Sequence, residues 1–72
     1  MRSFVDRKLE KFQRIAKAQH WSLSCDIYYD DLSVKYGEQF VVRLKMVKRT
    51  MHFRRPSVRA ALRAAEKWML EQ

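Results

Sequence analysis

The run Gln39 to Arg49, QFVVRLKMVKR, constrains this chain more than any other stretch. Phe40, Val42, Leu44 and Met46 alternate with Val41, Arg43, Lys45, Val47 and Arg49. Side chains along a strand point to opposite faces with period two, so one side of this run is apolar and the other largely cationic. Such a strand must lay its apolar side against a cover, and the remaining segments have to supply that cover.

A second alternation precedes it. Trp21, Leu23, Cys25, Ile27 and Tyr29 oppose Ser22, Ser24, Asp26 and Tyr28, which predicts another strand with one apolar face. Asp30–Asp31 reads as the turn that ends it, because aspartate bonds its own backbone in turns. Leu32, Val34 and Tyr36 alternate again before Gly37, as a short strand or as part of one long irregular connection. Past Arg49 the apolar residues move to odd numbers at Met51 and Phe53. A one-residue slip turns every side chain to the other face, so a bulge or a turn is expected near Lys48–Thr50, with Thr50–Phe53 as a separate short strand.

The two ends of the chain carry helical periodicity. Ser3 can cap a helix, with Asp6 in a capping-box-like position, and Val5, Leu9, Phe12 and Ala16 recur at helical spacing beside Phe4 and Ile15. This helix should run from about Phe4 to Gln19. Arg7, Lys11 and Arg14 lie on another face, and Glu10 can pair with Arg14 one turn on. Pro56 suits a first helical turn, and Val58, Ala61, Leu62, Ala65, Trp68 and Met69 form the inner face of a last helix from about Pro56 to Leu70. The order is α-β-(β)-β-α. The strands have one apolar face each, so both helices should pack on that face: an α+β two-layer sandwich with a small antiparallel sheet whose other face is open. Residues 1–72 make a single domain, and a chain this short buries only about 60% of its unfolded surface.

Composition then excludes several classes of function. One glycine cannot build a phosphate-cradling loop. His20, Cys25 and His52 are the only soft or borderline metal ligands, and they fit no zinc spacing, so no metal and no cofactor is expected. Cys25 falls on the core face as a small apolar group, and His20 can complement a helix dipole. Asp30–Asp31 is the only adjacent carboxylate pair, and a solvated turn explains it better than acid–base chemistry does. No histidine is placed beside a serine, so the chain is not read as an enzyme. A lone cysteine allows no internal disulfide, which suits a reducing, cytoplasmic setting. The N-terminal residues lack an apolar signal core, and no apolar run approaches the ~18 residues that span a bilayer. Membrane binding is not expected, because the narrow apolar stripe of the first helix is needed to cover the sheet.

What remains is charge. Sixteen Lys and Arg against eight Asp and Glu give +8, which favours polyanionic partners. Arg55, Arg59, Arg63 and Lys67 recur every four residues and make one cationic column along the last helix. Arg54 and Arg55 stand just before that helix, where arginine forks and unpaired N–H groups can hold a phosphate. On the open sheet face, Arg43, Lys45 and Arg49 are interleaved with Tyr28, Val41 and Val47. Cations around an aromatic can make a single-strand platform, whereas Tyr28, Val41 and Val47 as an exposed patch would make a homodimer interface. The two constellations should lie on opposite sides of the molecule.

The segment RRPSVRAALRAAEKWML is similar in its basic approach and alanine-rich helix to the end of a double-stranded-RNA-binding domain, and length and element order are near that family's α-β-β-β-α. The glycine- and histidine-containing loop after the first strand is missing, and proline stands where that family places lysine. Compact, arginine-rich chains with one cysteine also resemble small bacteriophage proteins that bind and inhibit a host machine, anti-CRISPR proteins among them. The expected function is non-enzymatic binding of nucleic acid through phosphate contacts. The alternative is a phage-encoded inhibitor docking on an acidic or nucleic-acid-binding surface of a host protein.

Overall fold

The computed structural model describes residues 3–30 and 40–72. Its elements follow the order α1 (Phe4–Ala18), β1 (Leu23–Tyr29), β2 (Phe40–Met46), β3 (Thr50–Arg55) and α2 (Val58–Leu70). The strands form an antiparallel sheet in the order β1-β2-β3, and the helices pack against it, an α+β fold. The expected alternation at Leu32–Tyr36 lies outside the described residues.

Local chemistry sets the helix ends. The Ser3 hydroxyl accepts the Asp6 N–H at 3.1 Å and starts α1 where the cap was expected. α2 begins two residues later than Pro56. Ser57 is extended (φ −141°, ψ 158°) and its hydroxyl accepts the Ala60 N–H at 3.1 Å, so the serine is the cap and the proline stands outside the helix. At the other end of α1, the Trp21 N–H donates to Ala16 O at 2.8 Å and the His20 N–H to Lys17 O at 3.2 Å. This is a Schellman closure, and its left-handed position is filled by His20 at φ 60° where glycine would be at ease. The expected strand start at Trp21 therefore shifts to Leu23.

The change of parity after β2 comes from a turn. Lys45 pairs with Thr50, and the Met46 N–H donates to Arg49 O at 2.8 Å, leaving Val47–Lys48 as a two-residue connection. Across such a hairpin an even-numbered residue faces an odd-numbered one: Leu44 opposes Met51 and Val42 opposes Phe53. Partners directly opposite share a face, so Met51 and Phe53 stay on the core side with no bulge. Thr50 thus opens an ordinary third strand.

The core forms on that one face. Phe12 from α1, Val42, Leu44 and Phe53 from the sheet, and Ala61, Leu62, Ala65 and Met69 from α2 make one buried cluster. Alanines at 61 and 65 let α2 lie close on β2 and β3. Trp68 closes one end, its ring 6.2 Å from Trp21 and 6.3 Å from Phe53. Val41 is also fully buried, at 0% exposure, although it belongs to the opposite sheet face, flanked by Tyr28 and Arg54 in register.

Two stability changes follow. Leu44→Ala removes a fully buried side chain from a small core and should cost about 2–5 kcal/mol in urea unfolding, enough to leave much of the protein unfolded. His20→Gly should raise stability by about 1 kcal/mol, because a left-handed position costs a Cβ-bearing residue roughly that much. A destabilised His20→Gly protein would refute the assignment of strain at this closure.

Candidate nucleic-acid interface

The cations expected in two constellations separate into three groups. On the sheet's outer face, Arg43 donates through Nε to Asp26 Oδ2 at 3.0 Å and through its terminal nitrogen to the same oxygen. The Tyr28 ring lies beneath it at 5.9 Å. The Asp26 carboxylate raises the Arg43 pKa, first through the hydrogen bond and then through its charge. Arg54 also points to this face, where it pairs with Asp30. Lys45 alone among Arg43, Lys45 and Arg54 makes no ion pair with a described residue. The outer face is therefore charge-compensated, a poorer polyanion platform than the sequence pattern implies.

Arg49 is elsewhere. Odd-numbered residues face outward before the Val47–Lys48 turn and inward after it, so Arg49 reaches to the helix side. There it lies over the Trp68 ring at 5.9 Å. Val47 occupies the turn and is 83% exposed. The expected patch of Tyr28, Val41 and Val47 is thus not assembled: Val41 is buried, and Val47 stands at the hairpin tip, away from Tyr28 at 37% exposure.

The expected arginine fork ahead of α2 is also divided. Arg54 turns to Asp30, while Arg55 donates through Nη1 to the Arg54 carbonyl at 2.6 Å. Ser57 has taken one of the helix's leading N–H groups. This leaves the column beyond Arg55.

That column runs along the seam with α1. Arg59 stacks on the Phe4 ring at 4.3 Å, and Lys8 approaches the same ring at 5.4 Å. Two turns on along α2, Glu66 accepts from Lys11 Nζ at 2.9 Å and from Lys8. These two hydrogen bonds hold the Glu66 carboxyl below its ordinary pKa, against an opposing effect of burial. Arg63 and Lys67 line an open cleft of about 480 Å³ with Lys8, Glu66, Leu70 and Glu71. Neither makes an ion pair with a described residue. Lys8, Lys11, Arg63 and Lys67 therefore lie around one acid, Glu66, with Arg59 two turns away over Phe4. The contribution of Lys8 and Lys11 was missed from sequence. Glu66 reads from sequence as offsetting part of its own helix's column, with Arg63 one turn before it, whereas the structure gives it to Lys8 and Lys11 of α1.

A further set of residues was also missed. His20, Trp21, Lys48, Arg49 and Trp68 meet where α1 and α2 end and β2 turns into β3, and they line a groove of about 380 Å³. Periodicity places both indoles on core-facing sides, and only tertiary packing brings them to a common surface.

Among the described residues no group of His, Cys, Asp and Glu could hold a metal ion. Among them too, no helix is long and apolar enough to cross a membrane. Cys25 is partly buried beside Asp26, and burial, aided by that charge, pushes its thiol up to about 11. Set against known proteins, the chain matches no family model, no curated protein and no solved structure. The fold and its surface define a small α+β domain with a cationic helix layer and a charge-paired sheet face.

The Glu66 bridge gives a pH signature. A carboxyl lowered in the folded state adds stability above its unfolded value near ~4.3, and that stability is lost as pH falls through the folded value. Glu66→Gln should cost about 1 kcal/mol near neutral pH. In chemical unfolding at a series of pH values, the gap to the parent protein should close in acid. A gap independent of pH would mean that the bridge contributes nothing. Cys25 should alkylate slowly in the folded protein, with the rate rising only as pH approaches about 11.

Proposed function

We propose that this domain binds nucleic acid through phosphate contacts made by the helix layer, with Arg59, Arg63 and Lys67 of α2 as the main anchors and Lys8 and Lys11 of α1 beside them. The observation that carries this reading is the contrast between the two faces. The sheet-face arginines are paired with Asp26 and Asp30, whereas Arg63 and Lys67 make no ion pair with a described residue and lie beside two further cations at the seam. Glu66, shared by Lys8 and Lys11, and Glu71, which also lines the cleft, offset only part of this positive charge, and the surplus is stabilised by an external polyanion. Residues at 59, 63 and 67 rise by ~6 Å per step along a helix, a spacing on the scale of successive phosphates on a strand. Phosphates bound in this way release counterions, so affinity should fall steeply with salt.

The test is fluorescence anisotropy of a labelled single strand and a labelled duplex at low and moderate salt. Arg59→Glu/Arg63→Glu should weaken binding at least tenfold and lower the salt slope by about 1.5, the value of two lost phosphate contacts. Binding that ignores this double change would remove the helix layer from the interface. A protein that binds no nucleic acid, but retains an acidic protein partner after nuclease treatment, would favour the inhibitor reading, with the same cations meeting carboxylates.

A further inference from the structure

The groove at the hairpin end has the composition of a ligand site and no place in the phosphate-binding surface described above. Its volume of about 380 Å³ falls in the ~300–1,000 Å³ range of small-molecule sites. It is lined mainly by apolar groups, with Trp21, Trp68 and Met46 prominent among them, and is rimmed by His20, Lys48 and Arg49. The two indoles lie 6.2 Å apart at 34°, a tilted arrangement, and Arg49 stands 5.9 Å from Trp68. Indole faces with a neighbouring guanidinium are what an unpaired base stacks on in sequence-tolerant strand binding. His20, which also lines the groove, is the residue held at φ 60°.

Electrostatics orient the occupant. Both helices end here by their carboxyl termini, whose dipoles disfavour an anion. A phosphate is therefore unsuited to the interior of the groove, while an uncharged, flat, polar-edged ring is suited to it. Lys48 and Arg49 belong to the hairpin, outside both helices, and are placed to meet the flanking phosphates. Lys67 and Trp68 are neighbours on α2 but line different clefts, so the groove is a surface separate from the seam column.

We propose that this groove takes one unpaired base of a single-stranded nucleic acid, with Trp21 and Trp68 as the stacking surface and Lys48 and Arg49 on the flanking phosphates. The proposal rests on the nucleic-acid reading above and narrows it from phosphate binding in general to strands with an exposed base. A duplex, whose bases are already stacked on one another, has nothing to offer the groove without unpairing.

The chain has two tryptophans and both line this groove, so emission excited at wavelengths that tryptophan but not tyrosine absorbs reports on the site. A short oligothymidylate should quench that emission saturably. A duplex of equal length, or an abasic strand of equal length, should bind by anisotropy with little quenching. Trp21→Ala should weaken oligothymidylate binding roughly 5- to 100-fold while duplex binding holds, and Trp21→Phe should recover most of the loss because it restores an aromatic face. Lys48→Glu/Arg49→Glu should weaken single-strand binding in the same assay. Circular dichroism of each variant checks that the fold is kept, and Lys48→Glu/Arg49→Glu, at exposed positions, provides the test if Trp21→Ala fails to fold.

Strand binding that leaves emission unchanged, or that treats the abasic strand as it treats oligothymidylate, would overturn the base site and leave phosphate binding by the helix layer standing. Absence of any nucleic-acid binding would overturn both. Emission that shifts with protein concentration alone would mean that a second copy of the chain fills the groove, which also overturns the proposal.

Discussion

The register of the β2–β3 hairpin is the constraint from which the rest of the surface follows. With two residues in the turn, Leu44 opposes Met51 and Val42 opposes Phe53, and the sheet presents a single apolar face to both helices. One residue more or fewer would send Met51 and Phe53 outward and bring His52 and Arg54 against Leu62 and Ala65. A sandwich this thin has no second core to absorb such an error. The same register sends Arg43 and Arg54 to the outer face, where aspartates await them, and sends Arg49 back over Trp68.

A second constraint operates between the helices. α2 carries cations one turn apart, which repel, and α1 adds Lys8 and Lys11 on the facing side. Glu66 makes this arrangement tolerable by accepting from both lysines while remaining ionised. Phe4 contributes differently: its ring takes Arg59 on one approach and Lys8 on another, so Arg59 is held at the seam by a ring, while Lys8 is shared between that ring and Glu66. The helices are thus joined by charge and ring contacts along their outer edge and by apolar packing beneath.

Much of this was legible in the residues alone. Period-two alternation identified β1 and β2, helical periodicity identified both helices, and one-sided strands required both helices on one face. Ser3 was readable as a cap because nothing competed with it, whereas Pro56 obscured Ser57, since both residue types suit a helix start. The charged sites were less legible. Strand parity holds only up to the turn, so it puts Arg49, which lies beyond it, on the wrong face; the turn's length is not legible because neither Val47 nor Lys48 is a usual turn residue. Arg54 and Arg55 are adjacent in sequence and were grouped, yet adjacent strand residues point to opposite faces. Val41 is the plainest case of context overriding pattern, an outer-face residue that is nonetheless fully buried.

The pairing of charges also says something about what a strongly basic small domain requires. A net charge of +8 weakens a compact state through self-repulsion, and this core is too small to offset much of it. Pairing Arg43 and Arg54 on the sheet face relieves repulsion on one side and leaves the surplus concentrated on the other. The surplus there is partly relieved by Glu66 and by Phe4, and is otherwise open to whatever counter-charge the solution supplies. Added salt should therefore act on the domain in two opposed ways, screening repulsion along the seam and competing with any polyanion held there. Stability and the proposed polyanion binding draw on the same cations, so a substitution that improves stability by removing charge at Arg63 or Lys67 acts against the proposed binding.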